Sequence, residues 1–142
     1  MRFAGQNQFR HHIGTTYVAV EGGRILGFVT VAAAEVEIAG LPVSRRKGLP
    51  SYPLPALRIA RLAVGQEAQG RGVGAELLKQ ALIIARRTAE DVGCVGVIVD
   101  AKADAVAFYA RYGFEAATTV LGALGDRPQP MVMFLPLSLI PD

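Results

Sequence analysis

A glycine-rich turn is the first group of residues in this chain that could do chemistry. It spans residues 69–74, follows an apolar run that ends at Leu62-Ala63-Val64, and leads directly into a helical pattern. Glycine permits a tight turn and lets backbone N–H groups approach a ligand with no Cβ between them. The start of a helix adds unpaired N–H donors and a partial positive charge. The turn therefore predicts an anion site built from backbone.

The spacing of this turn excludes two common phosphate sites. No Gly-Lys-Ser/Thr follows the glycines, so the turn is not a nucleotide P-loop. The pattern Gln69-x-x-Gly72-x-Gly74 also lacks the G-x-G-x-x-G spacing of a dinucleotide site. On this motif alone, an ordinary glycine-rich turn before a helix stays an alternative.

An aromatic segment follows roughly 30–40 residues after the turn, with the sequence Phe-Tyr-Ala-Arg-Tyr-Gly-Phe over residues 108–114. A tyrosine phenol with its ordinary pKa of about 10 is protonated at neutral pH and can act as a general acid. We expect Phe108 and Phe114 to be core aromatics and Tyr109 to be functional. For Tyr112, core packing and ligand contact both stay open.

The two motifs, in this order, resemble those of the GNAT superfamily of N-acetyltransferases. That family has Gln-x-x-Gly-x-Gly in the loop that binds the acetyl-CoA pyrophosphate, and Phe-Tyr-x-x-x-Gly-Phe on a helix that flanks the thioester. The resemblance covers roughly residues 16–135. It implies an α/β (α+β) fold in one domain over residues 1–142, with a mixed, twisted central sheet flanked by helices. The N-terminus is shorter than in the family, which usually opens with a strand and one or two helices.

The resemblance also implies which residues form the site. Tyr109 would protonate the leaving thiolate, and an N–H of the central strand would polarise the thioester carbonyl. The pantetheine arm would pair with that strand, and the pyrophosphate would lie on the glycine turn. The residues implied in cofactor binding are Leu62, Ala63, Val64, Gln69, Gly70, Arg71, Gly72, Val73, Gly74, Ala75 and Tyr112. Many family members place a glutamate base on the central strand, where this chain has Arg58 and Arg61. Glu35, Glu37, an ordered water and an amine that is already neutral all stay open, so the sequence assigns no general base.

A finer resemblance concerns the acceptor. Segments 15–19, 54–64, 69–74 and 131–137 are similar to the GNAT-type toxins of bacterial toxin–antitoxin pairs. Those enzymes acetylate the α-amine of aminoacyl-tRNA and are neutralised by a ribbon-helix-helix antitoxin. The resemblance thus implies charged tRNA and such an antitoxin as partners. Cations that could hold tRNA phosphates at the acceptor entrance are Arg45, Arg46, Lys47 and Arg61, with Arg58 beside them. An ordinary solvated loop with structural ion pairs stays the alternative for these residues.

Two further hypotheses stay open. One is a GNAT enzyme that acetylates a small-molecule amine or a protein or peptide amine. The other is a non-catalytic module that binds acyl-CoA, against which the presence of Tyr109 argues. An adjacent small upstream gene for a ribbon-helix-helix protein would favour the toxin. The oligomeric state is open, with a homodimer among the options.

Composition is compatible with these expectations. The 142 residues carry a net charge of +3 with a sequence pI of about 9.4, which fits an anionic cofactor or an RNA partner. No apolar run approaches the ~20 residues of a membrane helix, and no secretory signal is evident, so we expect a cytoplasmic protein. The single cysteine, Cys94, is expected to be a small buried hydrophobe, and no Cys/His cluster suggests a metal.

Local patterns predict the elements that position the motifs. Strands are expected over 16–20, 25–34, 56–64, 95–99, 114–120 and 130–137, with a Gly22-Gly23 hairpin turn between the first two. One helix should run from the glycine turn to Gly93, and a second long helix should cover 103–112. Residues 42–55 carry four prolines and are expected to form a loop, as are residues 121–129. Residues 1–14 are expected to hold one short helix, with His11 and His12 on a solvated face.

Overall fold

A seven-stranded mixed sheet forms the centre of the computed structural model, which describes residues 2–7, 13–117 and 131–141. Its spatial order is β1-β2-β3-β4-β5-β7-β6. The β4–β5 pair is parallel and the other pairs are antiparallel. The strands are β1 (Arg2–Asn7), β2 (Thr15–Glu21), β3 (Arg24–Val36), β4 (Leu54–Val64), β5 (Gly96–Ala101), β6 (Glu115–Ala116) and β7 (Met131–Pro136). The predicted mixed sheet is confirmed.

The β2–β3 hairpin forms as its glycines predict. Glu21 pairs with Arg24, and the two residues between them, Gly22 and Gly23, have φ angles of 58° and 80°. Both values lie in the left-handed region that glycine adopts with little penalty, and such pairs suit the two-residue turns whose twist matches the flanking strands. The hairpin therefore fixes the register of β2 against β3.

One long helix, α1 (Val73–Asp91), packs on one face of the sheet. Its buried residues recur at helical spacing and are Val73, Leu77, Leu78, Ala81 and Ala85. They share a core with the strand residues Leu57, Ile59, Val97 and Val99, and we call the sheet surface that carries these four the helix face. None of the described helices is both long and apolar enough to cross a membrane.

The opposite surface, the far face, carries the alternate strand residues. Ala56 and Phe134 belong there to a second, smaller buried cluster, against which Ile98 packs. Arg58 shares this face, because it pairs with Ile98 across the β4–β5 ladder and side chains alternate along a strand. The sheet thus has one face covered by α1 and one that α1 leaves uncovered.

Two predictions for the N-terminal half were wrong. Residues 2–7 form strand β1, which pairs with β2, rather than a short helix; long-range pairing here outweighs a polar local pattern. His11 and His12 lie outside the described residues. The 42–55 segment is not all loop, since Pro55 lies in β4 and pairs with Glu35. Proline is tolerated there because the parallel β4–β5 ladder begins only at Leu57.

The predicted long helix over 103–112 was also wrong. A 3₁₀ turn (Ala103–Ala105) precedes a short helix, α2 (Val106–Arg111). Gly113 ends this helix with φ 96°, as its predicted C-terminal position requires. The following strand is shorter than predicted within the described residues, and the expected loop at 121–129 lies outside them.

A close backbone approach at Gly27 on β3 supports a stability prediction. A Cβ there would lie 2.6 Å from the carbonyl oxygen of Ala63 and 3.1 Å from the Cδ1 atom of Leu77. Gly27→Ala must push β3, β4 and α1 apart, and we expect it to lower the free energy of unfolding by about 1–3 kcal/mol. Gly40→Ala is the matched control, since a Cβ at Gly40 meets nothing within 4 Å. Urea unfolding of both variants is the measurement, and equal stabilities would contradict the packing assignment.

Candidate active site

The central strand β4 contains a bulge. Thr30 of β3 pairs with Arg61, but the next β3 residue, Val31, pairs with Ile59, so Ala60 has no partner on β3. An extra residue of this kind bends its strand and increases the local twist. It also shifts the alternation, so Arg61 lies on the same face as Arg58 although the two are three positions apart in the sequence.

The strands β4 and β5 separate at this bulge. Their ladder ends at the Ile59–Val99 pair, while β4 continues with β3 as far as Val64 and β5 continues with β7 as far as Ala101. Among the described residues, no strand pairs with the β5-facing edge of residues 60–64, and we call this opening inside the sheet the split. An extended ligand can add to such an edge by main-chain hydrogen bonds. Leu62, Ala63 and Val64, all half-buried, lie along this edge.

The glycine turn lies at the end of β4. Gly70 and Gly72 have φ angles of 82° and 80°, and Gly72 is the N-cap of α1 with no side-chain cap. A Cβ at either glycine would meet nothing within 4 Å. The first N–H groups of α1, including those of Val73, Gly74 and Ala75, have no partner within the helix. Uncapped donors beside open space fit an anionic ligand such as a pyrophosphate.

Two side chains of the turn contact neighbouring strands. The Gln69 amide donates to the carbonyl oxygen of Val64 at 3.4 Å, which ties the turn to the end of β4. Arg71 donates to both carboxylate oxygens of Glu21 at 3.0 Å, and both side chains are about half exposed. Exposed pairs of this kind contribute little to stability. An anionic ligand can therefore compete with Glu21 for the Arg71 guanidinium.

The glycine turn and the aromatic segment meet in space. A Cβ at Gly74 would lie 3.6 Å from two ring atoms of Phe108 and 3.6 Å from the Cγ2 atom of Val64. The start of α1, the end of β4 and the helix α2 thus converge at one point. Two motifs that are separate in sequence therefore lie together at the end of the split.

Tyr109 is the buried titratable group at this point. Its side chain is 5% exposed and makes edge contacts with Phe108 and Phe114, at ring-centroid distances of 5.2 and 5.3 Å. Burial raises the pKa of the Tyr109 phenol above its ordinary value. The phenol therefore stays protonated at neutral pH and keeps a proton to donate. Tyr112, in contrast, is 37% exposed and touches the edge of Phe108.

The four predicted acceptor-site cations do not come together. Arg45 forms an ion pair with Glu115 at 2.6 Å, which lowers the pKa of that carboxyl. Arg46 donates to the carbonyl oxygens of Leu41 and Ala39 at 3.0 and 3.1 Å. These contacts give Arg45 and Arg46 structural roles within the 42–55 segment.

The 42–55 segment, which carries Arg45, Arg46 and Lys47, lies at the opposite end of the sheet from the glycine turn. Arg45 and Lys47 line a cavity of about 360 Å³ with Cys94 and Val95, just before β5 begins. The glycine turn follows the end of β4, and parallel strands begin at the same sheet edge and end at the other. Among the four cations, Arg61 alone lies on the strand that borders the split.

The structure adds an acidic residue that the sequence analysis missed. Asp100 of β5 forms an ion pair with Arg58 of β4 across the last rungs before the split. An acidic residue inside an apolar run was the signal in the sequence. Its contact with Arg58, however, depends on the strand register. Cys94 is buried as predicted, and burial raises the pKa of its thiol. The described residues contain no group of three or more His, Cys, Asp and Glu side chains that could hold a metal ion.

Comparison with known proteins gives a consistent result. The acetyltransferase (GNAT) domain family matches residues 12–116. The tRNA-acetylating toxin of Mycobacterium tuberculosis (strain ATCC 25618 / H37Rv) is 36% identical over 104 residues, which are 72% of this chain and 62% of that protein. The present chain therefore spans less than two thirds of that relative's length.

Two solved structures are similar over most of the chain. AtaT complexed with acetyl-methionyl-tRNAfMet matches with a TM-score of 0.74 and 28% identity, over 91% of this chain and 74% of that one. AtaTR bound with AcCoA matches with a TM-score of 0.70 and 29% identity, over 92% and 74% respectively.

The left-handed glycine at the start of α1 gives a direct test of the anion site. An alanine Cβ at Gly72 would point into the space beside the uncapped N–H groups, and we expect Gly72→Ala to weaken acetyl-CoA binding about 10–100-fold. Gly48→Ala is the control, because Gly48 has φ 82° and an equally open Cβ position in the 42–55 segment. Both variants incur a similar strain of about 1–2 kcal/mol. Calorimetry that finds equal acetyl-CoA affinities in the two folded variants would refute the assignment.

Proposed function

Because this chain belongs to the GNAT acetyltransferase family, we propose that it is an acetyl-CoA-dependent N-acetyltransferase whose acceptor is the α-amine of aminoacyl-tRNA. The observation that carries the proposal is the split between β4 and β5, which has the glycine turn at its end and Tyr109 beside it. This chain matches 62% of the mycobacterial relative, so the activity as well as the acceptor is proposed.

The residues at the split fit the acetyl donor. Uncapped N–H groups at the start of α1 suit its phosphates, and the unpaired edge of residues 60–64 suits an extended pantetheine arm. A backbone N–H on that edge can also polarise a thioester carbonyl. When bound, acetyl-CoA supplies the acetyl group, and the Tyr109 phenol holds the proton that a leaving thiolate needs.

Charged tRNA is supported as acceptor by two kinds of observation. The mycobacterial relative is a tRNA-acetylating toxin, and the AtaT structure contains acetyl-methionyl-tRNAfMet. On the present chain, the exposed Arg61 side chain lies beside the split on the far face, where a phosphate backbone could approach. The proposal therefore places the acceptor on the far face and the acetyl donor at the end of the split.

The proposal includes a cellular setting. A charged-tRNA substrate requires a cytoplasmic location, and the toxin class of the mycobacterial relative supports an antitoxin partner. A ribbon-helix-helix protein encoded directly upstream would support that part of the proposal. If the enzyme transferred acetyl only to a small amine or a peptide, the acetyltransferase part of the proposal would stand and the toxin part would be excluded.

Removal of the Tyr109 hydroxyl tests whether Tyr109 is the general acid. Tyr109→Phe keeps the buried ring and its aromatic contacts, so we expect the fold and the acetyl-CoA affinity to be unchanged. A positioned general acid contributes about 10²–10⁴-fold in rate, and we expect kcat to fall within that range. Tyr112→Phe, on the exposed neighbour, is the control and should retain wild-type kcat. If kcat is unchanged in Tyr109→Phe under conditions where the chemical step is rate-limiting, Tyr109 only packs and is not the general acid.

Salt dependence tests the acceptor. Binding of tRNA releases counterions, so KM for aminoacyl-tRNA should rise steeply with salt, whereas KM for a small amine should not. Loss of one phosphate contact in Arg61→Ala should flatten the log–log slope by about one unit. Arg87→Ala, on the exposed side of α1, is the matched control and should leave the slope unchanged.

The salt assay uses radiolabelled acetyl-CoA and a pool of aminoacylated tRNA. Lys47→Ala in the same assay shows whether the tRNA surface extends to the 42–55 segment, because Lys47 is exposed. Absence of label on every aminoacyl-tRNA, together with transfer to a polyamine, peptide or amino acid, would exclude the tRNA acceptor.

A further inference from the structure

Asp100 occupies the point where β4 and β5 separate. The last rung between these strands joins Ile59 and Val99, so Asp100 is the first β5 residue without a partner on β4. It follows Ile98 by two residues and therefore shares the far face with Ile98 and Arg58. Tyr109, in contrast, packs in the core on the helix face. The carboxylate thus stands at the mouth of the split on the side that α1 leaves uncovered.

Arg58 holds this carboxylate by one oxygen. The Nη2 atom of Arg58 donates to Oδ2 of Asp100, while Oδ1 has no hydrogen-bond partner among the described residues. The two side chains are 47% and 40% exposed. One oxygen is thus anchored, and the other is available to accept a hydrogen bond from a ligand that approaches over the far face.

Other carboxylates are less suited to this position. Glu35 pairs with Pro55 and lies toward the opposite end of β4 from the split. Glu21, Glu67 and Glu115 form ion pairs with arginines outside the far-face end of the split. Asp100 is therefore the strand carboxylate that lies beside the edge of residues 60–64.

We propose that Asp100 binds the amine of the acceptor and takes its proton during transfer, with Arg58 as a positioning residue for that carboxylate. This inference rests on the proposed acetyltransferase activity and applies to any amine acceptor. A hydrogen bond from the amine to Oδ1 orients the nitrogen lone pair toward the split. An α-amine has an ordinary pKa of about 7.7–8.0, so about a quarter to two fifths of it is neutral near pH 7.5.

In the transfer step, the proton lost by the amine and the proton gained by the leaving sulfur are carried by different residues. The amine nitrogen forms a bond to the acetyl carbon and the carbon–sulfur bond breaks. The nitrogen, which becomes acidic as that bond forms, loses its proton to Asp100, and the exposed carboxylate passes it to water. The thiolate receives the Tyr109 proton, and the phenol is reprotonated from solvent.

Chemical rescue is the decisive experiment. Asp100→Ala leaves a space where the carboxylate stood, and Asp100→Asn fills it with an amide that accepts no proton. We expect both variants to lose about 10²-fold in kcat/KM for the acceptor, with acetyl-CoA affinity unchanged. Added formate should restore activity to Asp100→Ala but not to Asp100→Asn, compared with chloride at equal ionic strength.

The role of Arg58 is tested by a double-mutant cycle. Arg58→Gln should lower kcat/KM less than Asp100→Asn does, and Arg58→Lys should restore part of the loss. In the Asp100→Asn background Arg58→Gln should have no further effect, because Arg58 acts through Asp100. Glu35→Gln is the control for loss of an exposed β-strand carboxylate and should retain wild-type activity.

Failure of the Asp100 role and failure of the acetyltransferase activity would give different results. If the wild-type enzyme acetylates no aminoacyl-tRNA but another amine, the same variants are measured with that amine. Wild-type activity in Asp100→Asn, or a loss in Asp100→Ala that formate does not relieve, would overturn the inference and leave the acetyltransferase intact. Absence of transfer from the wild-type enzyme to any amine would overturn both.

Discussion

The site depends on a single constraint, the departure of β4 from its parallel partner. The bulge at Ala60 twists β4 while its antiparallel ladder to β3 continues, and the ladder to β5 ends one residue earlier, at Ile59. A sheet normally satisfies every backbone group between neighbouring strands. Here residues 60–64 keep one edge unpaired, and a ligand that supplies an extended backbone can satisfy it. The proposed function depends on this local loss of pairing.

Packing on the helix face brings β3, β4, α1 and α2 together at the end of the split. A Cβ at Gly27 would collide with the Ala63 carbonyl and approach Leu77, so β3, β4 and α1 are in close contact at the end of the split. Gly74 lies against Phe108 and brings α2 to the same point. Because α1 begins there without a side-chain cap, its first N–H groups have no partner within the helix. The position of Tyr109 follows from these contacts.

The sequence predicted the elements whose signals are local. Alternating and β-branched residues indicated β2 to β5, helical periodicity indicated α1, and the glycine turn and aromatic segment indicated the family. Features set by long-range pairing were missed. Strand β1 is stabilised by β2 despite its polar residues, and Arg45 meets Glu115, which is 70 residues away. The bulge at Ala60 depends on the register of two strands, which no local pattern contains.

The two faces of the sheet provide different electrostatic environments for one reaction. On the helix face, burial raises the pKa of Tyr109 and keeps its proton in place until a stronger base appears beside it. On the far face, Asp100 and Arg58 are half exposed, so a proton that arrives there can leave to solvent. A split that opens to both faces admits a donor and an acceptor from different sides. In the proposed reaction, proton donation and proton removal are thereby separated in space, and neither group has to perform both tasks.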